Sequence, residues 1–113
     1  MLIKEFTNLE ELKEVDLPGD LLFFMQNDSQ FYRKTFYPAI MKFKKHIDAK
    51  TKCKDTIFRS CVDQACEVYC KQFELPGNSK SVFTDVDRDS IARTIFGQEI
   101  DRIQSGVYDR KEQ

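Results

Sequence analysis

Tryptophan is absent from this 113-residue chain, histidine occurs once, and glycine and proline number only four and three. Each scarcity excludes something. The glycines stand singly at 19, 77, 97 and 106, so no glycine-rich loop is available to cradle phosphate with backbone amides. With one histidine, His46, any Cys–His or Ser–His pair has to be built around a single residue. No motif supplies the orienting partner or the oxyanion site that such a pair needs. No apolar run approaches the roughly 18 residues that cross a bilayer, so no membrane contact is implied. The opening MLIKEFTNLEEL carries acids early and lacks the apolar block of a signal peptide, and the expected location is the cytoplasm. There the four cysteines, at 53, 61, 66 and 70, are read as thiols, because the compartment keeps them reduced. The expectation is a protein that is not an enzyme and needs no cofactor.

What the chain does have is aromatic mass and unevenly placed charge. Ten phenylalanines and four tyrosines supply large buried area for one small domain, expected to span 1–113. Residues 1–30 hold two cations and seven acids, net −5, whereas 31–54 hold eight cations against Asp48 alone, net +7. The remainder carries −3, and the whole-chain value of −1 conceals the separation. A basic block between acidic flanks implies an anionic partner or an internal match.

Periodicity predicts an all-α helical bundle of three longer helices (about 29–47, 56–74 and 85–104) plus two short N-terminal ones. Thr7 and Glu10 form a capping box for a helix over about 8–15. Leu17-Pro18-Gly19 reads as its stop, and Asp20 as the cap of a second helix, LLFFMQN. In the third, Tyr32, Phe36, Ala39, Ile40, Phe43 and Ile47 share a sector of about 100°. Pro38, inside that span, predicts a kink or break near Tyr37. Residues 48–54 read as a polar linker. Phe58, Val62, Ala65, Cys66, Tyr69 and Phe73 stripe the fourth helix, which Leu75-Pro76-Gly77-Asn78 ends. Residues 79–83 read as a loop, in which Val82-Phe83 could pair briefly as a strand. Thr84, with Asp87 three residues on, opens the fifth helix, striped by Ile91, Ile95, Phe96, Ile100 and Ile103 with Glu99 at the edge.

Three constellations invite chemistry. Cys66 and Cys70 share a helical face and His46 could join them on zinc, but Cys61 lies about 140° from Cys66, so three thiols cannot converge without breaking the helix. The competing reading, small buried hydrophobes, suits Cys61 and Cys66 better. Asp85, Asp87 and Asp89 resemble the front of a calcium loop, yet position six is Ser90 and position twelve Phe96, and acids in a first turn stabilise a helix without any ion. The third is the stretch FYRKTFYPAIMKFKKH at 31–46. Its cations Arg33, Lys34, Lys42, Lys44 and Lys45, continued by Lys50, Lys52 and Lys54, could neutralise phosphate, although the core stripe removes most of its rings from stacking. Off-stripe Phe31, Tyr37 and Met41, with Val68 and Val107-Tyr108, could instead form a protein interface. The leading expectation is a helical accessory protein that binds a protein partner or self-associates. A nucleic-acid-associated protein using the 33–54 cations is the alternative.

The blocks NDSQFYRKTFYP at 27–38 and IDRIQSGVYD at 100–109 resemble short uncharacterised proteins of tailed bacteriophages, marine ones especially. That resemblance implies no assigned activity, only a small accessory factor acting inside an infected bacterium.

Overall fold

A computed structural model describes residues 16–109. Among them the architecture is all-α, with no strand. The elements are α1 (Leu17–Asn27), α2 (Ser29–Phe31), a π-helical turn (Tyr32–Phe36), α3 (Tyr37–Asp48), a 3-10 turn (Asp55–Phe58), α4 (Arg59–Gln72), α5 (Ser79–Val82), α6 (Asp85–Gln104) and a closing 3-10 turn (Val107–Asp109). The helix expected over 8–15 lies outside the described residues.

α1 begins earlier than Leu17-Pro18-Gly19 suggested. Asp16 is its N-cap, the side chain accepting from Gly19 N at 3.0 Å. Pro18 then falls in the first turn, where a missing N–H costs nothing. A Cβ at Gly19 would collide with the Asp16 carboxylate, so a larger residue here would displace that side chain from its capping position. The same three residues that can stop a helix here start one.

At Pro38 the irregularity expected near Tyr37 takes the form of a widened turn rather than a break. Residues 29–48 run as one helical rod without a break, because the turn before the proline widens: Tyr37 N–H donates to Tyr32 O, five residues back. A π-turn inserts one extra residue into the helix and rotates everything upstream by about 100°. Phe31, which a uniform wheel places on the outer side, is thereby carried into the core, 6% exposed, with its ring 5.7 Å from Phe24. Little of this expected interface residue is left at the surface. Tyr32, expected in the core, is correspondingly only half-buried.

The 79–83 segment is no loop either. Asn78 accepts from Ser81 N at 2.9 Å and caps the single turn α5, whose end buries Val82 and Phe83. Thr84 and Asp87 form the expected capping box, and α6 keeps the expected bounds. Glu99, expected at the edge of its stripe, is fully buried.

α6 packs against α1, α4 and both 3-10 turns. Buried residues form one continuous cluster, in which Phe58 sits 6.2 Å from Phe36 and 5.3 Å from Phe43. A second group joins Phe24 of α1, Tyr69 of α4 and Phe83 just after α5. Truncating a fully buried ring such as Phe58 costs about 3–5 kcal/mol in comparable cores.

Two helices end in the same device. After α3, Thr51 N bonds His46 O and Lys50 N bonds Ile47 O; after α4, Leu75 N bonds Cys70 O and Glu74 N bonds Lys71 O. This Schellman pattern puts Lys50 (φ 59°) and Glu74 (φ 52°) in the left-handed region, where glycine is favoured. Glu74→Gly should therefore raise the unfolding free energy by roughly 0.5–1 kcal/mol in urea titrations, the lost Cβ strain outweighing the added chain entropy.

Candidate nucleic-acid interface

The rod of residues 29–48 presents Phe36, Ile40 and Phe43 to the core and turns Arg33, Lys34, Lys42 and Lys45 outward, all four exposed. At 1.5 Å per residue the span from Arg33 to Lys45 covers about 18 Å of axis. Lys50, Lys52 and Lys54, also exposed, follow on the extended connection past the end of the rod. Lys44 is the exception among the eight: it points to the flank and pairs with Asp48 (2.7 Å) and Asp109 (2.9 Å). Those contacts raise its pKa, chiefly through the hydrogen bond to Asp48. No ion pair within 4 Å engages the other seven among the described residues. Lys71, Lys80 and Arg93 are likewise exposed, but they are scattered over three other helices. Clustering sets the rod apart.

Tyr37 stands on the same rod, 41% exposed, with Met41 half-buried one turn further on. The remaining exposed large apolar residues, Phe23, Val68, Val86 and Val107, sit on four separate elements. Of the three proposed interface residues, then, Phe31 is internal, Met41 half-covered, and Tyr37 alone open. The acids Glu10, Glu11 and Glu14, whose position would decide whether the lysines are covered, lie outside the described residues.

The acids that looked like a calcium loop are engaged elsewhere. Arg59 reaches from α4 to Asp85 (2.8 Å) and Asp89 (2.6 Å) on α6 and to Asp63 (3.0 Å) on its own helix, while Asp87 serves the cap. Arg88, only 5% exposed, donates to Asp63 Oδ1 (2.9 Å), Phe83 O (2.8 Å) and Ser79 O (2.9 Å), binding α6 to α4 and α5. Ser79 Oγ in turn donates a short hydrogen bond to Glu67. Nothing in sequence spacing pairs 59 with 85 or 63 with 88, so this network was not foreseen.

Glu99 was missed for a related reason. Its carboxylate, 0% exposed, accepts from Arg102 Nη1 (2.7 Å) and Tyr108 OH (2.5 Å), which fastens the closing turn onto α6. A buried carboxylate is tolerated only with such partners. Burial first, then the bond to Glu99, raises the Tyr108 pKa. Arg102 one turn on and an aromatic hydroxyl nine residues on were the only signals in the sequence.

The three thiols of α4 lie in environments that disfavour the thiolate. Burial pushes Cys61 and Cys66 up to about 12, and Cys70 to about 11, so thiolate is scarce at neutral pH. No group of three or more potential metal ligands exists among the described residues. His46 Nδ1 meets Thr51 Oγ1 at 3.1 Å, and that hydroxyl lies 3.2 Å from His46 O, so the residue is part of the helix ending. Two open grooves flank Val68: one of about 540 Å³ beside Cys70, Ser79 and Lys80, the other of about 230 Å³ beside Phe31 and Lys34. No helix among the described residues is long and apolar enough to cross a membrane. No family model, curated protein or solved structure matches the chain.

Burial alone would raise the Asp63 carboxyl, but hydrogen bonds from Arg88 and Arg59 outweigh it and hold the group below the usual carboxylate range. Folding thus favours the ionised form. The stabilisation is complete above the unfolded value of about 3.9 and is lost as pH falls through the lower folded one. Asp63→Asn should be less stable than the parent at pH 7, and the gap should narrow in thermal melts below about pH 4.

Proposed function

We propose that this protein is a non-enzymatic nucleic-acid-associated factor that grips the phosphate backbone with the outer face of the 29–48 rod. Arg33, Lys34, Lys42 and Lys45 make the primary contacts, and Lys50, Lys52 and Lys54 extend them. The observation that carries the reading is the division of charge: the acids near the helix contacts hold Lys44, Arg59, Arg88 and Arg102, while seven clustered cations stay open among the described residues. Cations about 18 Å end to end match the spacing of roughly five phosphates on one strand. Lysines on a core helix also serve solubility, but solubility alone does not require a bias of eight cations to one acid on one segment.

A second reading, an accessory protein that docks on a protein partner or on its own copy, draws on the two grooves beside Val68. It loses its main support with the burial of Phe31 and the dispersal of the exposed apolar residues, since single exposed hydrophobes are ordinary.

With four phosphates engaged, affinity for an oligonucleotide should fall roughly 50-fold or more between about 50 and 200 mM salt. Lys42→Glu combined with Lys45→Glu should abolish binding at the lower salt. Lys71→Glu with Lys80→Glu, the same charge change placed on α4 and α5, should leave it nearly intact. Absence of binding by the parent protein at about 50 mM salt, or equal loss in both double variants, overturns the proposal.

A further inference from the structure

Within the nucleic-acid reading, on which this inference rests, the rod carries more than charge. A series of rings runs from the core to its surface. Fully buried Phe58 lies 6.2 Å from Phe36; Phe36 lies 5.6 Å from Tyr32, edge to face at 88°; Tyr32 lies 6.0 Å from Tyr37 at 45°. Tyr37 is the last member, and the residue is 41% exposed. The π-turn suits this order, since its bond from Tyr37 N–H to Tyr32 O sets residues five apart one above the other, with the two rings 6.0 Å apart. An outermost ring propped from beneath loses little conformational freedom when a ligand covers it.

Around it the surface is apolar and then cationic. Pro38 is exposed beside Tyr37 and Met41 is half-buried one turn on. Arg33 and Lys34 stand about one turn before the ring, Lys42 and Lys45 one to two turns after it. A duplex offers this face only phosphates and groove edges, because its bases are stacked on one another. An unpaired base offers an open π-face between two phosphates, which suits a ring with cations on either side.

We infer that Tyr37 is a base-stacking platform and that the ligand of the rod is single-stranded nucleic acid, one base extending the Phe58–Phe36–Tyr32–Tyr37 series while the flanking cations hold the phosphates beside it. The chain contains no tryptophan, so its intrinsic emission comes from four tyrosines, and covering Tyr37 is directly visible.

The test compares an oligothymidylate of about 20 nucleotides with a duplex of equal length, titrated into parent, Tyr37→Phe and Tyr37→Leu proteins at low salt. The parent should bind the single strand more tightly than the duplex and lose tyrosine emission on binding it. Tyr37→Phe should bind as the parent does. Tyr37→Leu should weaken single-strand binding about 5- to 100-fold and leave duplex binding unchanged, the duplex affinity reporting an intact fold and charge face. An oligouridylate arm tells RNA from DNA preference. If Tyr37→Leu binds the single strand as tightly as the parent, or loses both ligands equally, the platform is refuted while backbone binding stands. If neither ligand binds the parent, the underlying reading fails instead.

Discussion

One widened helical turn governs how this molecule divides inside from outside. Pro38 cannot continue an α-helix in the ordinary way: it lacks an N–H, and its ring crowds the carbonyl four residues back. The chain answers with a five-residue hydrogen bond from Tyr37 to Tyr32 and so carries the rod through. The added residue turns Phe31 inward against Phe24, leaves Tyr32 at the boundary, and sets the outward direction of Arg33 and Lys34. With a true break at Tyr37, the cations before and after the proline would lie on two independent segments. The single turn makes them one face.

Electrostatics completes that division. Arg59 and Arg88 draw Asp63, Asp85 and Asp89 into the seams between α4 and α6, and Glu99 holds Arg102 and Tyr108 at the other end of α6. Arg88 and Glu99 are buried, so each of these two charges depends on its partner being present, whereas the Arg59–Asp85 pair is open to solvent. Asp63, Asp85, Asp89 and Glu99 are thereby engaged with arginines of α4 and α6, and of the rod's cations only Lys44 meets an acid among the described residues, Asp48 and Asp109. A chain whose formal charge is −1 thus presents one positive face among the described residues, since no ion pair there engages seven of the eight cations of 33–54.

Much of the helical layout was legible in the sequence, because it rests on local signals. The Thr84–Asp87 capping box fixed the start of α6, and the stripe from Phe58 to Tyr69 named the buried side of α4. What escaped was decided by geometry a uniform 100° wheel cannot carry. The π-turn moved Phe31 from an expected interface into the core. Leu17-Pro18-Gly19 reads equally as an end or a beginning until Asp16 is seen to cap Gly19. Arg88 and Glu99 were hidden because their partners come from other elements or from the closing turn. The eight cations of the basic block were all visible beforehand; that Lys44 alone is drawn aside, by Asp48 and Asp109, needed the fold.

The most direct test of the open cationic rod is residue-resolved. Backbone amide and side-chain resonances of isotope-labelled protein, followed while a single-stranded oligonucleotide is added at low salt, report which surface is touched. The account predicts shifts concentrated on Arg33, Lys34, Tyr37, Lys42 and Lys45, trailing into 50–54, with the first turns of α6 silent. Shifts centred on the groove between Glu67 and Lys80, or on Asp85 to Asp89, with the rod unperturbed, would contradict it.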